Sequence, residues 1–395
     1  MEANDYKEDL EYLYSALLNH PSIKMGEKKK AELEALYIAI CEVVYDYDSF
    51  IDVATELTTF FQDGHTNIEV PYTPQDLCLN LKCCWSGTDE NELILKDEYE
   101  DIPKHARIMS VEGTSIEDLI VAFADKIPHE NIYLVKSRMI MYPYQNYHLF
   151  SEMNLKRLFG CKKYYLVSFL VDDEIVKKEI PLTFYDGFLE FVPDEEFLAY
   201  EIVDDAAIMH LKSCICNEEY KRTLKELAYI CNTQSVSTFV LDLSDNMGGD
   251  SSVIDEFIKY TRTEKYRRYE MIDFSSGEKR KVTSRKDVVE NCQQDLLLPE
   301  KIYCKVSHNT FSSARTFAVT LKDNGIATIC GVPTGGKPNS CGMPKKMSMP
   351  KTGIRFRVSR CCFLRPDANG DEESALMPEI EDIYFEGNTG GSSVE

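Results

Sequence analysis

Apolar positions in the first sixty residues recur at helical spacing. Leu10, Leu13, Tyr14 and Leu17 form one stripe that ends at Pro21, and Leu33, Leu36, Ile40 and Val43 form a second. A third predicted helix starts after Ser49, turns Ile51, Ala54, Leu57 and Phe60 inward and ends near Gln62. Asp63, Gly64, His65 and Thr66 then fall on the turn that follows. From about residue 67 to 197 the pattern is mixed. Strand-like runs cover Glu92–Leu95 and Arg107–Val111, Ser115 caps a helix with Asp118 three residues on, and Asn131–Met141 is patterned as a helix. Lys163–Val171 and Glu174–Phe184 read as a hairpin across Asp172 and Asp173.

From about residue 198 the pattern becomes strand, helix, strand. Predicted strands at Ala206–Leu211, Thr238–Leu243, Ile302–Val306 and Ala327–Cys330 alternate with helices at Glu218–Ile230, Val253–Tyr260 and Ser313–Lys322. Such alternation argues for an α/β core with a largely parallel sheet and right-handed crossovers. Ligands of such sheets sit beyond the C-terminal strand ends, so chemistry is sought in the loops after Leu243 and Val306. The expected organisation is a helical segment 1–68, a mixed α+β segment 69–197, an α/β core 198–385 and a glycine- and serine-rich tail 386–395, expected to be mobile.

Bulk properties narrow the function classes. A chain of 395 residues with 44% apolar residues is large enough for more than one core. The net charge of −23 repels phosphate backbones and anionic lipid, which excludes nucleic acid as an expected partner. The basic runs Lys28–Lys30, Arg267–Arg268 and Lys279–Lys281 are short and read as solvated faces. No window approaches the length of a membrane span, and the acidic start carries no apolar signal core. Fourteen cysteines are scattered, and the close pairs Cys83–Cys84, Cys214–Cys216 and Cys361–Cys362 lack the CxxC spacing of a zinc site. The expectation is therefore free thiols in a reducing cytoplasm, with no metal and no organic cofactor.

Two loops carry the candidate chemistry. After the strand at Thr238–Leu243 come Ser244, Asp245, Asn246, Met247, Gly248, Gly249 and Asp250. Adjacent glycines let backbone amides converge on an oxyanion, although alone the segment reads as an ordinary turn. After the strand ending at Val306, Asn309–Arg315 leads into a helix, where Ser312 could present a hydroxyl above the sheet and the amide of Ser313 could face an oxyanion. Taken singly, Ser312 or Ser313 reads as a helix N-cap. A nucleophilic serine needs a base, and the chain offers His65 in Asp63–Thr66 and Lys337 in Thr334–Lys337, with His308 close by in sequence. An orienting carboxylate would come from Asp371, Glu372 or Glu373.

Together these segments resemble the tail-specific, or C-terminal processing, serine peptidases, including the tricorn-core, chlamydial-protease and interphotoreceptor retinoid-binding branches. Thr238–Asp250 resembles the family's strand and glycine-pair signature, and Thr310–Ala314 its nucleophile motif. Gly331–Lys337 resembles its glycine loop, and Arg365–Pro378 its closing acidic stretch. Asp63–Thr66 after a helical region, with His20–Pro21 before it, resembles the branch that uses a Ser-His-Glu triad.

The resemblance implies a crotonase/ClpP-like core that forms an acyl-enzyme on Ser312. It implies His65 as base, Glu372 as orienting carboxylate, and Ser313 with Gly248 or Gly249 as oxyanion donors. Its substrate would be a peptide or unfolded protein. Lys337 stands where other members carry a lysine base. Arg315, Ser244 and Glu379 depart from the family pattern, and Ala106–Leu119 resembles only the second half of a PDZ module. The rival readings are a peptide or hydrophobic-ligand binding module of the same fold and a hydrolase of esters or thioesters. The sequence carries no signal for oligomeric state.

Overall fold

The computed structural model describes residues 2–86, 92–140, 144–186 and 196–381. The tail and the end of the helical pattern at Met141 lie outside them. The chain forms two compact units. The first comprises Met1–Glu190, Asp273–Arg280 and Cys341–Cys362, and the second Phe191–Ile272, Lys281–Ser340 and Phe363–Glu395.

The first unit has two hydrophobic cores. One is built by helices Ala3–Leu17, Pro21–Met25, Glu27–Ile40 and Tyr47–Thr59, whose inward residues include Leu10, Leu13, Leu17, Leu33, Ile51, Ala54 and Leu57. The last of these helices begins two residues before the Ser49 expected as its boundary. Asp46 is its N-cap and Ser49 sits inside the first turn, completing a reciprocal capping box. Asn67–Glu69, Arg355–Val358 and Lys345–Ser348 form an antiparallel sheet that closes this core with Phe356 and Val358. Buried Asp9 on the first helix accepts hydrogen bonds from the amides of Lys351 and Thr352 and from the Thr352 hydroxyl, at 2.6–2.8 Å. A segment far along the chain is thereby tied to the N-terminal helices.

The second core lies under the sheet Cys83–Trp85, Leu93–Leu95, Arg107–Val111, Tyr164–Val171 and Glu174–Pro181. Helices Ile116–Ala124, Ile132–Met139 and Glu152–Phe159 belong with it, capped by Ser115, Asn131 and Ser151. The hairpin expected around Asp172 and Asp173 is present, and both residues have positive φ.

The second unit holds a five-stranded sheet in the order Leu198–Val203, Ala206–Leu211, Thr238–Asp242, Lys301–Val306, Thr328–Gly331. The last four strands are parallel and the first is antiparallel to its neighbour. Helices Glu218–Thr233, Ser252–Ile258 and Ser313–Asp323 provide the crossovers expected from the strand and helix alternation. Val240, Leu241, Cys304 and Ile329 are almost fully buried, as strands covered on both faces must be. No helix among the described residues is long and apolar enough to cross a membrane.

Candidate active site

In the second unit, Ser312 occupies a strand-to-helix elbow. Its backbone has φ 54° and ψ −125°, a conformation that a residue with a Cβ rarely adopts. The helix Ser313–Asp323 starts immediately after it, and the Ser312 side chain makes no capping hydrogen bond. By position Ser312 is the N-cap of this helix, its carbonyl accepting the Thr316 N–H, but its hydroxyl does not supply the cap. Ser313 is committed elsewhere, its hydroxyl donating to the Gly249 carbonyl at 2.8 Å and lying 2.8 Å from the Ser251 hydroxyl. Its backbone N–H is the first orphan donor of the helix, with its nitrogen 2.9 Å from where a Cβ on Gly248 would stand.

The glycine loop is shaped around this elbow. Gly248 has φ +108°, and a Cβ there would lie 2.7 Å from the Cβ of Ser312 and 2.9 Å from the Ser313 nitrogen. Gly249 has φ +137°, and its Cβ would fall 2.3 Å from the Cys214 carbonyl oxygen. Asn246 holds the loop, a role that sequence reasoning missed. Fully buried, it donates through Nδ2 to the Leu211 carbonyl and accepts the Gly248 N–H on Oδ1, both at 2.8 Å. Its own carbonyl accepts the N–H of Phe311, next to the nucleophile position. The Gly248 N–H is thus spent inside the loop.

Replacing Gly248 by alanine is expected to lower activity by on the order of 100-fold, because the added Cβ would press on the Ser313 amide, the expected oxyanion donor. Stability should fall by about 1–3 kcal/mol through overpacking. Parallel rate measurements and urea melts check both.

Neighbouring groups fix the rest of the loops. Thr310 donates to the Leu243 carbonyl at 2.8 Å, and the ring of His308 lies 2.6 Å from the Pro333 carbonyl, a structural tie. Arg315, one of the departures from the family pattern, is buried, with its guanidinium 5.5 Å from the Phe311 ring and bonded to the Ser340 hydroxyl. Lys337 is exposed. In the closing stretch, buried Arg365 grips Asp323 with two nitrogens and Glu373 with a third. Arg285 and Asn339 hold Asp371. Glu372 is exposed, and among the described residues its carboxylate has no partner.

His65 belongs to the first unit, where Asp63 organises the turn. Asp63 Oδ1 accepts the His65 N–H at 3.0 Å. Oδ2 accepts from the hydroxyls of Thr66 and Ser359 at 2.6 Å and faces His20 Nε2 at 3.1 Å. His20 Nδ1 in turn accepts the Ser22 N–H, so Nε2 carries the proton that bonds Asp63. Burial alone would push the Asp63 carboxyl up. The hydrogen bonds from His20 and His65 override that and hold it well below the usual carboxylate range.

The ring Nδ1 of His65 stands 3.6 Å from Asp63 Oδ1, and Glu130 completes a cluster whose donor atoms all lie within 4.8 Å of one another. Buried Arg138 donates to the carbonyls of Gly64 at 2.6 Å and Pro128 at 3.0 Å, clamping the histidine turn to the segment that carries Glu130. Neither Asp63 nor Arg138 was assigned a role from the sequence, because their partners are remote in the chain.

Residues 205–381 match the model of Peptidase family S41. No curated protein matches the chain. Among solved structures it is similar to mature CPAF complexed with lactacystin, at 12% identity over 96% of this chain and 94% of that one, with a TM-score of 0.67. It is also similar to a mutant of CPAF, at 10% identity over 96% and 93% of the two chains, with a TM-score of 0.68. At these identities the likeness shows the fold. The matching segment contains the serine elbow, the glycine loop and the acidic closing stretch, so residues 205–381 form a Peptidase family S41 segment of the serine peptidase type in a chain that shares the fold of solved peptidases.

Proposed function

We propose that the chain hydrolyses peptide bonds through an acyl-enzyme on Ser312, with His65 as general base and Glu372 as the carboxylate that orients it. The observation that carries this reading is the Ser312 elbow, a strained backbone at a helix N-cap whose hydroxyl does not cap the helix and which is packed against a glycine loop. His65 takes the proton as Ser312 attacks the carbonyl and returns it to the leaving amine. The amides of Ser313 and Gly249 bind the oxyanion, and water releases the acyl group.

Ser312 and His65 lie in different units of the chain. The choice of His65 over Lys337 rests on the exposure of the lysine and on the number of bonds spent holding the histidine turn. Glu372 is preferred to its neighbours because Asp371 and Glu373 are engaged by arginines. The substrates are peptides or unfolded proteins, and the cytoplasm is the proposed location, since a chain of this size does not depend on disulfides.

The test is labelling by a fluorophosphonate of wild type, Ser312→Ala, His65→Ala and Lys337→Ala, each checked for folding by circular dichroism. Labelling is expected to vanish with Ser312 and His65 and to survive loss of Lys337. Loss with Lys337 and not His65 would move the base to a Ser-Lys dyad. Folded wild type that takes no label would favour a binding module.

A further inference from the structure

Asp63, His65 and Glu130 bring two carboxylates and an imidazole together from two segments of the first unit. Their donor atoms all lie within 4.8 Å of one another, with Asp63 buried and the other two half-buried. The 3.6 Å between His65 Nδ1 and Asp63 Oδ1 is long for an N–H···O hydrogen bond. It is close to the separation of about 3.3–3.5 Å between two ligands of one tetrahedral ion with bonds of about 2.0–2.1 Å.

Asp63 Oδ2 is engaged by His20, Thr66 and Ser359, which leaves Oδ1, bonded to the His65 N–H, as the oxygen on the ring side. Bonds from Arg138 to the Gly64 and Pro128 carbonyls hold the two contributing segments in register, which is the support a metal site requires around its ligands. One nitrogen and two carboxylates suit zinc and its first-row neighbours; calcium and magnesium prefer oxygen alone.

We propose that Asp63, His65 and Glu130 bind a divalent transition metal of the zinc class, and that the bound metal switches the peptidase off. The binding half stands on the cluster itself; the inhibitory half rests on His65 being the base. A neutral imidazole has one lone pair and one N–H. A metal on Nδ1 takes the lone pair and leaves the proton on Nε2, so the ring can no longer accept a proton from a serine. No bond to substrate is involved, and removing the metal restores the base.

The experiment is a cobalt(II) titration of the full-length chain followed by visible absorption, with zinc displacing cobalt to give its affinity. Glu130→Gln, His65→Ala and the double variant Cys341→Ser/Cys362→Ser are compared with wild type. The cysteine pair is included because its sulfurs lie 3.5 Å apart in the same unit and would bind the same metals. The expected result is ligand-field bands of a nitrogen and oxygen site without thiolate charge transfer. Affinity should fall at least tenfold in Glu130→Gln and His65→Ala and stay unchanged in the cysteine variant.

Zinc should slow fluorophosphonate labelling of wild type over the same concentration range and a chelator should reverse this, whereas labelling of Glu130→Gln, read against its own metal-free rate, should need at least tenfold more zinc to be slowed. Binding unaltered by Glu130→Gln and His65→Ala, or thiolate bands that vanish with the cysteines, would overturn the site. Metal bound as expected that leaves labelling unchanged would overturn the inhibitory half and His65 as base, while leaving the site in place.

Discussion

Replacing Ser312 by glycine is expected to make the protein more stable and inactive. Hydrolysis should fall by roughly 10⁴-fold or more, as it does when a serine nucleophile is removed from a triad. The stability change follows from the backbone. Ser312 holds φ 54° and ψ −125°, and a Cβ in such a region costs about 1–3 kcal/mol. Glycine removes that strain and returns roughly 0.5–1 kcal/mol as extra unfolded-state entropy. The side chain makes no capping bond to the helix, so no helix cap is lost with it. The net rise, up to about 2.5 kcal/mol, corresponds to a Tm increase of up to roughly 10 °C for a unit of this size. Ser312→Ala keeps the Cβ and the strain, so it should be equally inactive without the gain. Calorimetry on the three proteins decides the matter, and a glycine variant no more stable than the alanine variant would show that the elbow is not strained.

The elbow was readable in the sequence because it lies between a buried strand and a helix, both marked by local patterns. The apolar run at Thr238–Asp242 and the stripe of Ala314, Phe317, Ala318 and Leu321 needed no distant information. The same holds for the helices of the first sixty residues, whose apolar spacing survives into the structure with boundaries shifted by a few residues, except at Val43, which is exposed on the turn Cys41–Val43 beyond the second stripe's helix. The supports of the site were not readable. Asn246 matters because its side chain reaches Leu211, and Arg138 because it reaches Gly64 across 74 residues. The segment Cys341–Cys362 packs in the first unit, although it follows the core strands in sequence. Its place depends on Arg355–Val358 pairing with Asn67–Glu69 and on the grip of Asp9, neither of which has a local signature. Periodicity reports which face of an element is buried, not which distant element covers it.

Asp63 shows the cost of such remote supports most sharply, and Asp63→Asn is expected to destabilise the protein by about 3–5 kcal/mol, the usual penalty for stranding partners of a buried charge. Two hydroxyls and the His20 Nε2–H converge on Oδ2 from as far as 296 residues away. An amide can keep one oxygen toward either set of donors but must turn its NH₂ toward the other. His20 cannot relieve the clash by switching tautomer, because its Nδ1 already accepts the Ser22 N–H. The activity attributed to His65 should fall with the turn it stands on, even though Asp63 does not touch substrate in the proposed mechanism.

The pH dependence of stability distinguishes loss of this charge from a general packing defect. The folded carboxyl is held well below its unfolded value of about 3.9, so its contribution is fully present above that value. It is lost as pH falls through the folded pKa, the unfolded chain taking up one proton that the folded chain refuses. Urea melts from pH 6 downward should therefore show the gap between wild type and Asp63→Asn constant near neutrality and narrowing below about pH 4. A gap that stays constant to the acid limit would mean that Asp63 contributes shape and not charge.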